Sequence, residues 1–156
     1  VFEALQAGLP ALGLAPYEIS NYARPGAESR HNLRYWTRRP YLGLGPAAHS
    51  FRENKRWWNH ESVHQYVRDL KKGKSPVSDS EALVAEQLAL EALFLGLRTR
   101  QGIDLERFRL RYGIDLIKEK GRLLQEWSES GLIDIAEGSV RPTRSGMAVA
   151  DALVVL

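Results

Sequence analysis

Hydrophobic and polar positions divide this chain into an irregular first half and a periodic second half. Phe2-Glu-Ala-Leu-Gln-Ala-Gly8 is spaced as the end of a helix with glycine as its stop signal. After a Pro/Gly-rich link, Tyr17-Glu-Ile-Ser-Asn-Tyr-Ala23 predicts a short strand, ended by Arg24-Pro-Gly26. Residues 26–40 show no clean period and predict a loop with one helical turn. Tyr41–Gly45 predicts a strand running into Pro46, Ala47 and Ala48, and Arg56–Asn59 predicts another. Val63, Tyr66, Val67 and Leu70 then recur at i, i+3, i+4 and i+7, the spacing of an amphipathic helix, which Gly73 closes.

Gly73-Lys-Ser-Pro76-Val-Ser is the best boundary, placing one domain at 1–75 and a second at 76–156. Ser78 and Glu81 are spaced as a capping box, predicting a helix over Glu81–Arg98 that is apolar around much of its circumference and buried on several sides. Leu105–Tyr112 predicts a helix ended by Gly113, and Leu116–Glu129 another ended by Gly131. Leu132–Ile135 and Ser139–Arg141 flank Glu137-Gly138 as a hairpin, and Thr143 caps a last helix through Leu153. Helix, helix, hairpin, helix is a winged-helix-like order.

Composition narrows the chemistry. The chain of 156 residues is 44% apolar and 26% charged, an ordinary globular balance. No apolar run approaches the roughly 18–20 residues of a membrane span. Val1–Leu14 lacks a basic start and a cleavage pattern, so the expectation is a cytoplasmic protein or a piece of one. Cysteine is absent, which excludes disulfides, thiolate metal sites and a cysteine-held iron–sulfur cluster built from these residues. Residues 1–75 hold 12 Lys/Arg against 6 Asp/Glu, and residues 76–156 hold 10 against 13. The excess lies between Arg30 and Arg56, at Arg30, Arg34, Arg38, Arg39, Arg52, Lys55 and Arg56. Such a patch suits an anionic partner, and equally a solvated surface.

Arg30-His31-Asn32-Leu33-Arg34-Tyr35-Trp36 is the most specific segment. It suits a flat, anionic, aromatic ligand: Tyr35 and Trp36 stacking on its face, Arg30 and Arg34 pairing with its carboxylates, His31 ligating a central metal. The plainer reading has His31 bonding loop backbone and Trp36 lying as a lid over the core. Gly43-Leu-Gly45-Pro-Ala-Ala-His49-Ser50 is the second candidate, because small residues at a strand end let a ligand approach the backbone; a tight turn explains them as well. His60 and His64 are i, i+4 but lack a third metal partner. Glu18 suits a ribose, a metal, Arg30 or a strand-face ion pair. Lys118, Lys120 and Arg122 sit where a DNA-reading helix would place them. Glu119, Glu126 and Glu129 share that helix, so no nucleic acid is expected as partner.

Tyr17-Glu-Ile-Ser-Asn-Tyr-Ala-Arg-Pro-Gly26, Ser29-Arg-His-Asn-Leu-Arg-Tyr-Trp36, Tyr41-Leu-Gly-Leu-Gly-Pro-Ala-Ala-His-Ser50 and Arg56-Trp-Trp-Asn59 together resemble the distal part of the oxygen-independent coproporphyrinogen III oxidase-like radical-SAM family. The His-Asn-x-x-Tyr-Trp pattern at 31–36 resembles its haem-chaperone (HemW-type) branch, and the later residues resemble the family's C-terminal domain. The resemblance implies the last strands of a partial β/α barrel followed by a mostly helical domain. It implies haem as cargo, bound through Arg30, His31, Asn32, Arg34, Tyr35 and Trp36 with His31 toward iron, and delivered to haem-accepting proteins, membrane-associated respiratory proteins among them. S-adenosylmethionine and a [4Fe–4S] cluster belong to the full-length parent, with Gly45, Ala47 and Ala48 matching the turn near the adenosyl group. Without the cluster cysteines this chain should be inactive alone. Strands near Tyr17 and Leu42 should lack partners, leaving edges for self-association. The rival functions are porphyrinogen oxidation and a winged-helix nucleic-acid module.

Overall fold

The computed structural model describes residues 2–154. Helix α1 (Phe2–Gly8) does not stop at its glycine; a 3-10 turn at Leu9–Leu12 follows, and Gly13, at φ 73°, ends it in the left-handed conformation. The strand expected at 17–23 is a fold-back instead. β1 (Ala15–Pro16) pairs antiparallel with β2 (Tyr22–Ala23), because Tyr17 N donates to Asn21 O at 3.1 Å and the Glu18 carboxyl takes Ser20 N at 2.9 Å. A side chain bonding backbone two residues on favours a turn over extension. The segment is not left without a partner. Glu18 bridges to Thr99, Ile19 N donates to Arg98 O at 2.9 Å, and Arg100 N donates to Tyr17 O at 3.1 Å. Where a loop with one turn was expected, a seven-residue helix forms: α2 (Arg30–Trp36), with Ser29 Oγ accepting from Asn32 N at its start.

By internal contacts the chain falls into two units, Val1–Thr37 with Ala89–Leu156, and Arg38–Leu88. The second unit holds β3 (His49–Arg52), β4 (Lys55–Asn59), α3 (Val63–Lys71) and β5 (Val77–Ala82). Its sheet runs β3-β4-β5, antiparallel throughout, over Phe51 and Leu83. β5 overturns the capping box read at Ser78 and Glu81: the segment is extended, pairs with β4, and Glu81 reaches across to Arg56 at 3.0 Å. Tyr41–Gly45 is not a strand either; only Tyr41 bridges to Phe51, and Leu42 and Leu44 are 68% and 82% exposed. Gly43 runs so close to β3 that a Cβ there would meet His49 O at 2.1 Å, which excludes any other residue without backbone movement.

The rest of the first unit follows the expected rhythm more closely. α4 (Ala85–Gly96), of which Ala89–Gly96 belong to the first unit, begins after the predicted start, and Val84 N donates to Gln87 Oε1 at 2.9 Å. Its Ala89 and Leu93, with Leu97 beyond its end, bury one stripe, while Leu90 and Phe94 stay exposed, so the helix is amphipathic rather than buried all round. β6 (Ile103–Asp104), α5 (Leu105–Tyr112), α6 (Leu116–Glu129), β7 (Ile133–Ala136) and β8 (Ser139–Pro142) complete the core around Ile103, Phe108, Leu116, Leu124, Ile133 and Val140. Strand order is β6-β8-β7, and the hairpin turns where Glu137 and Gly138 both take positive φ, 51° and 71°. α7 (Arg144–Ala148) starts at the expected Thr143 cap but is shorter than expected, giving way to a 3-10 turn at Ala152–Val154. Gly146 is required there because a Cβ would overlap Leu132 O at 1.8 Å. Among the described residues every strand pairing is antiparallel and no closed barrel forms. No helix among them is long and apolar enough to cross a membrane.

Candidate functional site

Helix α2 sorts the candidate residues by face. At about 100° per residue, Arg30, His31, Arg34 and Tyr35 share one side, and Asn32, Leu33 and Trp36 the other. Burial follows that division: the first four are exposed, the last three half-buried. On the outer side, Tyr35 Oη lies 3.1 Å from His31 Nε2, and the two rings meet edge to face at 5.1 Å between centroids. His31 is therefore not sealed under aliphatic neighbours. Trp36 does not share this face; its indole N–H is buried and meets no acceptor among the described residues.

Seven residues are too few for a stable isolated helix, so α2 depends on its anchors. Asn32 Nδ2 donates to Tyr17 Oη at 3.2 Å and to Glu18 Oε1 at 3.3 Å. Glu18, 0% exposed, also accepts from Ser20 N and from the Asn21 side chain. The hairpin that carries Glu18 is tied by backbone to residues 98–100, and Arg98 is held in turn by Phe94 O at 2.7 Å, the Phe94 ring and Asp151. Support thus runs from the core through Glu18 to Asn32. Sequence reasoning offered Glu18 as a ligand or ion-pair group; the structure makes it an internal anchor, with Tyr17 beside it.

The second candidate segment is braced within the other unit. Gly45 N donates to Tyr66 Oη at 3.0 Å, Ala47 N to His60 O at 3.0 Å, Ala48 N to Gly45 O at 3.4 Å, and Gly43 N to Ser50 Oγ at 3.0 Å. Asn59 Nδ2 donates to Gly45 O at 2.9 Å. The small residues make a tight turn, with Gly45 at φ 108° and Ala47 at φ 56°. As braces Tyr66, Asn59 and Ser50 were missed: Tyr66 sits inside an amphipathic stripe, Asn59 ends a segment read as a strand, and Ser50 counted as part of the turn itself. His49 is exposed and stacks on Trp58 at 5.6 Å between centroids.

The cationic run is less open than its sequence reads. Arg38 is 6% exposed, donates to Leu88 O at 2.6 Å and lies 5.0 Å over the Phe51 ring, so it is a strut of its own unit. Arg56 pairs with Glu81 and Arg52 with Glu53. His60 Nε2 meets Asp69 Oδ2 and Gln65 Nε2, each at 3.3 Å, and no group of three acids, histidines or cysteines among the described residues is placed to hold a metal ion. On α6, Arg122 pairs with Glu126 at 3.0 Å.

Comparison with known proteins adds an independent line. Residues 83–149 match the family model described as HemN C-terminal domain. "Heme chaperone HemW" of Bacillus subtilis (strain 168) is 34% identical over 94% of this chain, and that of Mycobacterium tuberculosis (strain ATCC 25618 / H37Rv) is 36% identical over 98%. "Radical S-adenosyl methionine domain-containing protein 1, mitochondrial" of Bos taurus is 30% identical over 99%. The chain spans 38%, 37% and 37% of those three proteins. In fold it is similar to the solved coproporphyrinogen III oxidase of Escherichia coli, described as a radical SAM enzyme, with a TM-score of 0.73 at 17% identity over 97% of this chain and 38% of that one.

Proposed function

Because the chain belongs to the oxygen-independent coproporphyrinogen III oxidase-like radical-SAM family, on its haem-chaperone branch, we propose that it contributes the haem-holding surface of a protein that carries haem to haem-accepting proteins. The observation that carries this reading is the outer face of α2, where His31 and Tyr35 form an exposed pair flanked by Arg30 and Arg34. A porphyrin offers what that face suits: propionates for guanidinium groups, an aromatic plane for Tyr35, and an iron for the His31–Tyr35 pair. Asn32 supports the face from beneath rather than touching cargo, and Trp36 secures the helix.

The family's resident cofactors divide differently. A [4Fe–4S] cluster does not fit these residues, since there is no thiolate in the chain to bind it. The turn at Gly45, Ala47 and Ala48 has its amides committed within the chain, so a nucleoside approaching it would make van der Waals contact rather than receive amide bonds. We assign no reductive chemistry to this chain. The β6-α5-α6-β7-β8-α7 order with strands β6-β8-β7 reads as winged-helix-like. α6 joins Arg122 to Glu126 and carries Glu119 and Glu129, which argues for a structural cap over a nucleic-acid reader.

Titration of the chain with haemin tests the proposal. A Soret band should grow to one equivalent, and Arg30→Glu with Arg34→Glu should weaken affinity about tenfold, with loss of its salt dependence. A featureless titration, or an affinity indifferent to both substitutions, rules the surface out.

A further inference from the structure

In the second unit, β5 is six residues long and exposed at each of them. Among the described residues it pairs on one side only, with β4. Such an edge is ordinarily a template for another strand. The hydrogen-bond pattern tells which of its backbone groups point away from β4. Leu83 N donates to Asn54 O at 2.8 Å, so Leu83 faces β4. Bonded pairs alternate along an antiparallel ladder, and the register sets Arg56 opposite Glu81 and Trp58 opposite Asp79. Glu81 and Asp79 therefore face β4 as well, while Ser80 and Ala82 aim their amides outward. Val77 does the same: it lies opposite Asn59, whose own N–H turns the other way, to Ala48 O at 3.0 Å.

Two of those three amides are taken by side chains of the same segment. Ser80 N donates to Asp79 Oδ1 at 2.7 Å, and Val77 N donates to Ser75 Oγ at 3.4 Å. Pro76, between Ser75 and Val77, has no amide to offer. The register also shifts between Trp58 and Asn59, which leaves Ser78 as an extra residue and bends the strand. We infer that Asp79 and Ser75 close the β5 edge against strand addition and keep this unit from pairing with a second copy of itself. An incoming strand has to bring a carbonyl oxygen to Ser80 N. Asp79 Oδ1 occupies that place, and its charge repels the oxygen that would displace it. In a pairing of β5 with β5 each copy contributes its own Asp79, so the like charges oppose one another too.

Sedimentation equilibrium of the chain and its variants tests the inference, with circular dichroism to confirm the fold. Every position substituted is exposed. Ser75→Ala with Asp79→Val should associate at least about tenfold more tightly than wild type, since it gains edge hydrogen bonds and loses the repulsion. Ser78→Val adds an apolar, β-branched residue to the same strand but leaves both caps in place, and should match wild type. Adding Ala82→Pro to the double variant removes the third outward amide and should reverse the association. Hydrogen exchange gives a second readout: the Ser80 amide should exchange more slowly than the Ala82 amide in wild type, and lose that protection in Asp79→Val. A double variant no stickier than wild type overturns the inference. So does association of Ser78→Val to the same degree, because added apolar surface alone would then suffice. Association that survives Ala82→Pro places the contact elsewhere and overturns it as well.

Discussion

Glu18→Ala is expected to lower the unfolding free energy by about 2–4 kcal/mol, the cost of deleting a buried acceptor that serves several donors. Ser20 N, Asn21 Nδ2 and Asn32 Nδ2 all converge on that carboxyl, which is 0% exposed. Two of those donors belong to the fold-back of β1 on β2, and the third belongs to α2, so one substitution loosens both. Haemin affinity should fall with stability although Glu18 lies beneath the proposed haem-holding face of α2. Chemical denaturation gives the first quantity and the Soret titration the second. Glu18→Gln should recover part of each, because it keeps one carbonyl acceptor in place. An Ala variant with an unchanged denaturation midpoint would mean that α2 is supported elsewhere.

Leu97→Ala should be comparably damaging, at about 3 kcal/mol, as for buried leucines that leave a cavity. Leu97 is 2% exposed in the main core cluster, immediately before Arg98. Arg98 O accepts from Ile19 N and Arg100 N donates to Tyr17 O, so a loosened core also slackens the hairpin beneath α2. Leu90→Ala on the exposed side of α4 provides the contrast: it should cost well under 1 kcal/mol. Equal losses at the two positions would contradict the one-sided burial of that helix.

Local patterns were legible where a single periodicity ran long enough. α3, α6, the Glu137-Gly138 hairpin and the Thr143 cap all lie where spacing and turn residues place them. α2 was not, because seven residues give too few turns for a period; a serine cap and the Asn32 anchor set it instead. β5 was misread for a different reason. Ser-x-x-Glu is also compatible with an extended segment, and cross-strand pairing with β4 decided the matter, a long-range interaction that no local window contains. At the proposed site, the composition of 30–36 suits a flat, anionic, aromatic ligand, and the family resemblance implies haem. Which residues share a face needed the helix: without it, Trp36 and Tyr35 read as one stacking surface.

The central claim is that cargo sits on the outer face of α2, and gallium protoporphyrin IX, a diamagnetic stand-in for ferric haem, tests it most directly. In amide chemical-shift mapping of the chain, shifts should concentrate at residues 30–36 and leave α6 unmoved. Saturable binding with residues 30–36 unperturbed would contradict the claim outright.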